Sequence, residues 1–141
     1  MENLGTFISN NLLLVMAFIV VLAMLFMNIF GPMLKGYKVI TPAMATQMIN
    51  QQNALVLDIR QDNEYVGGHI INATHIPLSH LKDRLGELEK HKNKPVIAVC
   101  RSGHRSSGAC VTLKKAGFES VYNLSGGVLA WESANLPLTK S

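Results

Sequence analysis

From Leu12 to Phe30 the chain is apolar at every position except Asn28, a run of nineteen residues. Coiled as a helix, such a run is about 28 Å long, close to the ~30 Å hydrocarbon core of a bilayer. Gly31-Pro32 is expected to end it. Beyond Lys35 the pattern changes to short apolar runs alternating with helical spacing. Val39-Ile40, Leu55 to Ile59, a short segment led into by the turn His69 to Pro77, Pro95 to Val99 and Ser120 to Leu124 read as strands. The second and fourth are apolar on both parities, the mark of strands buried on both faces and hence of a parallel sheet covered by helices. Between them Thr41-Pro42 opens a helix to Gln52 with Met44, Ala45, Met48 and Ile49 as its inner face. A short helix is expected over Arg60 to Val66, stopped by Gly67-Gly68. Further helices are expected from the stripe 78, 81, 85, 88, from Ser106 to Gly117, and around Val128, Leu129 and Trp131. Strands alternating with helices over about a hundred residues make one α/β domain, a parallel sheet flanked by helices.

The pattern divides the chain into a short N-terminal segment (1–11), a transmembrane helix (12–30), a juxtamembrane linker (31–37) and the α/β domain (38–141). A secretory signal is the rival reading of the first part. It would carry a basic n-region, whereas Glu2 is the only charged side chain there, and Gly31-Pro32-Met33-Leu34 is a poor cleavage site. No Lys or Arg precedes Lys35, while Lys35 and Lys38 follow the apolar run, so the positive-inside rule places the domain in the cytoplasm.

Composition changes this picture little. The formal charge is +4, without basic residues interleaved with aromatics, so nucleic acid binding has no support. The five histidines have no metal-ligand spacing with Cys100 or Cys110, no metal site is expected, and the lone thiols favour a reducing compartment.

The candidate chemistry lies in Cys100-Arg101-Ser102-Gly103-His104-Arg105-Ser106, which follows the apolar strand 95–99 and opens a helix. A loop so placed can curl its N–H groups onto the cysteine sulfur, with the helix N-terminus adding about half a positive charge. Arg101 and Arg105 strengthen that field. All of this favours thiolate, the nucleophilic form. Cys110 reads as a core residue inside the helix.

Three stretches then resemble one family, the rhodanese (sulfurtransferase) domains. They are Asp58-Ile59-Arg60 with Glu64-Tyr65, Gly68-His69-Ile70 and His75-Ile76-Pro77; Cys100 to Arg105 in the form Cys-x-x-Gly-x-Arg; and Leu124-Ser125-Gly126-Gly127 with Trp131. Asn72 stands where the family often has glycine. The resemblance covers about residues 38–138, and the anchored layout is similar to that of small bacterial inner-membrane members. It implies that Cys100 takes sulfur from a small anionic donor such as thiosulfate, becomes a persulfide, and passes the sulfur to a thiol or to cyanide, without a cofactor. Arg101, Ser102, Gly103, His104 and Arg105 would form the substrate-binding loop. Arg105 is read either as a donor contact or as a brace behind the loop. Asp58, Arg60 and Glu64 are read as structural ion pairs, His69 and His75 as hydrogen-bonded turn residues, and Trp131 as packing. Two other classes compete with the sulfurtransferase. One is a membrane-tethered adaptor or sulfur carrier of this fold that docks a protein partner with little turnover. The other is a phosphatase, disfavoured because only four residues separate Cys100 from Arg105. Tyrosine-phosphatase-type loops, which this stretch otherwise resembles in plan, have five.

Overall fold

The computed structural model of the chain describes residues 3–140, with only the backbone at Pro32 and Met33. The chain divides between Lys35 and Gly36 into two compact units.

The first unit is helical. A short helix α1 (Leu4–Asn10) is followed by α2 (Leu12–Leu34). Within α2 the stretch Leu12–Gly31 is long and apolar enough to cross a membrane, and its apolar window has no buried residue. The helix does not stop at Gly31-Pro32 as the sequence suggests, but runs on to Leu34. A proline removes one intrahelical hydrogen bond, and here the loss falls in the last turn, where few bonds remain to be broken.

The second unit is a five-stranded, wholly parallel sheet with helices on both faces. Its strands are β1 (Lys38–Ile40), β2 (Leu55–Asp58), β3 (Thr74–His75), β4 (Pro95–Val99) and β5 (Ser120–Leu124), in the spatial order β1-β5-β4-β2-β3. Its helices are α3 (Pro42–Gln52), α4 (Asp62–Val66), α5 (His104–Lys115) and α6 (Gly127–Ser133). β4 lies at the centre, between β2 and β5. From β2 the chain moves outward to β3, and from β4 it moves the other way to β5. The carboxyl ends of β2 and β4 therefore flank the point where the strand order reverses, the usual crevice for a ligand in an open α/β sheet.

Alternation along β4 divides the core. Val96, Ala98 and Cys100 face one layer with Ala109, Cys110, Leu113 and Phe118, while Ile97 and Val99 face the other with Met48, Leu124, Val128 and Trp131. Trp131 is buried there and donates its indole N–H to the Pro137 carbonyl. Thr41 caps α3 by accepting from the Met44 N–H at 3.3 Å.

Two local expectations change, and one departure finds its reason. Met44 is exposed instead of lining the core; Ala45 and Met48 are the buried members of α3. The stripe at 78, 81, 85 and 88 does meet the core, but through two 3-10 segments, Leu78–His80 and Leu85–His91, instead of one α-helix. Its apolar members can be satisfied at i,i+3 as well as at i,i+4, and Gly86 lowers the helical preference of the span. Asn72 has φ +61, so the position commonly held by glycine does take a left-handed backbone, which asparagine tolerates.

Candidate active site

The site is built where β4 leaves the sheet. Cys100 is the first residue past the strand and presents no exposed surface. The chain then reverses within three residues, because Gly103 adopts φ +92 and allows α5 to begin at His104, two residues earlier than the expected start at Ser106. This tight turn aims the Gly103 N–H at the Cys100 sulfur, 3.0 Å away, and the first turn of α5 brings the Ser106 hydroxyl to 3.3 Å from it. Burial, the largest single influence, opposes ionisation of Cys100. The Ser106 hydroxyl and the backbone N–H groups of Ser106, Ser102 and Gly103 together outweigh it and hold the thiol below its ordinary value.

The loop is gripped from β5 and α6. The N–H groups of Val128 and Leu129 donate to the carbonyls of Cys100 (2.9 Å) and Arg101 (3.1 Å). That approach requires glycine at 127, where a β-carbon would run into the Cys100 and Arg101 backbone. Asn123, buried on β5, donates its side-chain N–H to the Gly103 carbonyl at 3.0 Å and accepts from the Ser106 hydroxyl at 2.5 Å. The Leu124-Ser125-Gly126-Gly127 stretch thus meets the cysteine loop backbone to backbone.

The charged residues separate into two groups. Arg105 points away from a free anion-binding role, since both its terminal nitrogens donate to Glu64, at 3.0 and 2.7 Å. The Arg105 hydrogen bonds hold the Glu64 carboxyl down at about 2. Glu64 also accepts from the Gln61 N–H at 2.9 Å and so ties the start of α4 to the loop helix. Of the two expectations for Arg105, the contact with Glu64 is the geometry that a brace behind the loop requires. Asp58 and Arg60 form a buried pair at 2.7 Å, from which Arg60 reaches the carbonyls of Gly68 (2.8 Å) and Glu64 (3.3 Å). His69 donates its Nδ1–H to the Tyr65 carbonyl and His75 its Nε2–H to the Arg60 carbonyl, and their rings stack on the two faces of Tyr65 with centroids 3.8 and 4.1 Å away. Arg101, Ser102 and His104 are exposed at the outer side of the loop.

Loop and sulfur are therefore together, with Gly103 turning the chain, Arg105 paired with Glu64, and Arg101 and His104 exposed. Among the described residues no cluster of three or more His, Cys, Asp or Glu side chains is placed to hold a metal ion. Sequence reasoning missed Ser106 as a partner of the sulfur, Asn123 as the link between loop and strand, and Glu64 as the partner of Arg105. The first two sit inside motifs, but their side chains point inward only because of the α5 and β5 registers. Glu64 lies 41 residues from Arg105, beyond any local pattern.

Comparison with known proteins agrees with this arrangement. The sequence matches the family model of the rhodanese-like domain over residues 41–134. It is 38% identical to the uncharacterized protein YibN of Escherichia coli K12 across 99% of both chains. It is 34% identical to the thiosulfate sulfurtransferase GlpE of Pseudoalteromonas translucida, over 70% of this chain and 92% of that one. The crystal structure of a rhodanese-related protein from Thermoplasma volcanium superposes with a TM-score of 0.67 at 30% identity, covering 74% of this chain and all of the other. With the parallel sheet, the cysteine loop at its reversal point and the diglycine turn against that loop all in place, the chain belongs to the family of rhodanese-like domains.

Proposed function

We propose that the chain is a sulfurtransferase that carries sulfane sulfur as a persulfide on Cys100. The observation that carries this reading is a buried sulfur whose thiolate is favoured by converging N–H groups and a hydroxyl, at the carboxyl end of the central strand. The name of the Pseudoalteromonas relative, a thiosulfate sulfurtransferase, supports a thiosulfate-like donor. The Cys100 thiolate attacks the outer sulfur of the donor, forming an S–S bond as the donor's own S–S bond breaks and sulfite leaves with the electron pair. A thiol or cyanide then attacks the outer sulfur of the persulfide, the enzyme S–S bond breaks, and the thiolate returns. The loop N–H groups hold negative charge at the reacting sulfur through both steps. Arg101 attracts the anionic donor from the outer side of the loop, Arg105 being neutralised by Glu64. Since Cys100 is covered, the loop yields locally to admit the donor.

In the same reading α2 holds the protein in the inner membrane, with Lys35 and Lys38 keeping the domain in the cytoplasm. The deciding experiment is intact-protein mass measurement after incubation with thiosulfate. One added sulfur, located on Cys100 and removed by cyanide, is expected. An unmodified Cys100 under conditions where a known rhodanese is loaded overturns the assignment.

A further inference from the structure

Asn123 and Ser106 are buried beside the reacting sulfur, and neither is explained by packing alone. Asn123 donates through Nδ2 to the Gly103 carbonyl. A carbonyl only accepts, so the amide cannot be turned the other way, and its Oδ1 must face the Ser106 hydroxyl. Ser106 has one hydroxyl proton and two acceptors for it: Asn123 Oδ1 at 2.5 Å and Cys100 Sγ at 3.3 Å.

We propose that Asn123 is a positioning residue that decides where the Ser106 hydroxyl proton goes, to its own Oδ1 or to the Cys100 sulfur, and thereby links the charge on that sulfur to the Gly103 turn.

Proton counting shows how. With Cys100 as a thiol, S–H donates to Ser106 Oγ, the Ser106 O–H donates to Asn123 Oδ1, and Nδ2–H donates to the Gly103 carbonyl. Every buried group is then paired. Once the thiol loses its proton, no arrangement satisfies all of them. If Ser106 turns to the thiolate, its oxygen and Oδ1 face each other lone pair to lone pair. If it stays with Asn123, the thiolate keeps only its backbone donors. When sulfur is loaded on Cys100, the charge moves to the outer sulfur, the inner one becomes a neutral weak acceptor, and Ser106 returns to Asn123 without conflict. The pull of Asn123 on the Ser106 proton therefore limits how far that hydroxyl adds to the stabilisation of the thiolate, and sulfur transfer removes the competition. This last consequence rests on Cys100 carrying the persulfide; the proton arrangement itself does not.

Other charges act on the same sulfur. From α5, Arg105 and Cys110 sense it; Glu64 on α4 and Asp58 on β2 act on Arg105; Arg101 and His104 stand exposed in the loop. None of their side chains hydrogen-bonds to the Asn123 or Ser106 side chain among the described residues, so a double-mutant cycle separates the network from them.

The full chain is purified in detergent, and the midpoint of Cys100 alkylation by iodoacetamide is followed against pH in Asn123→Ala, Ser106→Ala and the double variant. In the parent, Asn123→Ala both loosens Gly103 and releases the hydroxyl proton to the thiolate. In the Ser106→Ala background only the first effect remains. The Asn123→Ala shift is therefore expected to lie at least about half a pH unit lower in the parent, about threefold in rate below the midpoint, with Ser106→Thr behaving like the parent. Equal shifts in both backgrounds overturn the proposal. Should Asn123→Ala not fold, the side-chain amide resonances of Asn123 in the unsubstituted protein give the second reading. They are expected to move with the Cys100 midpoint and to stop doing so in Ser106→Ala; resonances indifferent to Cys100 ionisation also overturn it. Neither measurement uses a sulfur donor, so failure of the sulfurtransferase reading would leave both outcomes interpretable.

Discussion

Cys100 and Cys110 are ten residues apart, both without exposed surface, and both in the core layer between the sheet and α5. They have opposite chemistry. Burial and the nearby charge of Cys100 push the Cys110 thiol up to about 12, and its sulfur faces a backbone carbonyl, that of Tyr122 at 3.5 Å. Cys100 suffers the same burial but sits below its ordinary value, because hydrogen-bond donors converge on it. Two sulfurs equally remote from solvent thus differ by what the backbone aims at them. A strand end followed by a tight turn supplies N–H groups, while a position one turn deeper in a helix has spent them on the helix itself.

The largest test of this contrast is removal of each sulfur. Cys100→Ser is expected to abolish sulfur transfer to cyanide, and Cys110→Ser to keep most of it, in a cyanolysis assay on the purified variants. A Cys100→Ser protein that still transfers sulfur would falsify the division of roles.

Next comes reactivity without turnover. At pH 8 a thiol at about 12 is about one part in 10⁴ thiolate, so iodoacetamide should label Cys100 and leave Cys110 untouched in the folded protein. Peptide mass mapping after brief labelling checks this, and comparable labelling of the two sites would erase the distinction.

A smaller effect is expected behind the loop. Glu64→Gln breaks the bidentate contact with Arg105 and should destabilise the domain by about 1 kcal/mol, the partial exposure of both side chains screening the pair. The Glu64 carboxyl is lowered on folding, from 4.5 to about 2. Its contribution is therefore fully present above about pH 4.5 and is lost as the pH falls towards 2. Urea unfolding of both proteins at pH 6 and near pH 2 should show a gap at the first pH that closes at the second. If Arg105 serves the donor instead of the turn, Glu64→Gln would tighten donor binding and leave stability unchanged.

The smallest effect belongs to the outer side of the loop. Arg101→Ala should raise the half-saturating thiosulfate concentration about threefold at low salt, with the difference shrinking as ionic strength rises, and should scarcely change cyanide use. Initial rates across a salt series measure it; an unchanged half-saturation would remove Arg101 from donor attraction.

Much of this was legible along the chain. The apolar run of α2 specifies a long helix by composition alone, and the two-parity apolar strands at 55–59 and 95–99 announce a covered parallel sheet. The cysteine loop stands at a strand end because β-branched residues precede it and glycine breaks the chain after it. Such features depend on neighbours in sequence, where periodicity and backbone preference are decisive. The span 78–91 shows the limit: its core-facing residues were readable, its helix type was not, since 3.0 and 3.6 residues per turn share the same short spacing.

What only the tertiary structure decided are the pairings between distant segments. The sequence leaves the Arg105 partner open; α4 brings Glu64 to it. Asn123 reads as one residue of a closing motif until the parallel register of β4 with β5 sets it beside Gly103 and Ser106. Gly127 is required by the Cys100 carbonyl, and that necessity exists only once α6 is folded against the loop. The physical reason is common to all three. Local sequence sets the dihedral preferences of a segment, whereas a buried polar group must find its partner wherever the sheet order delivers one.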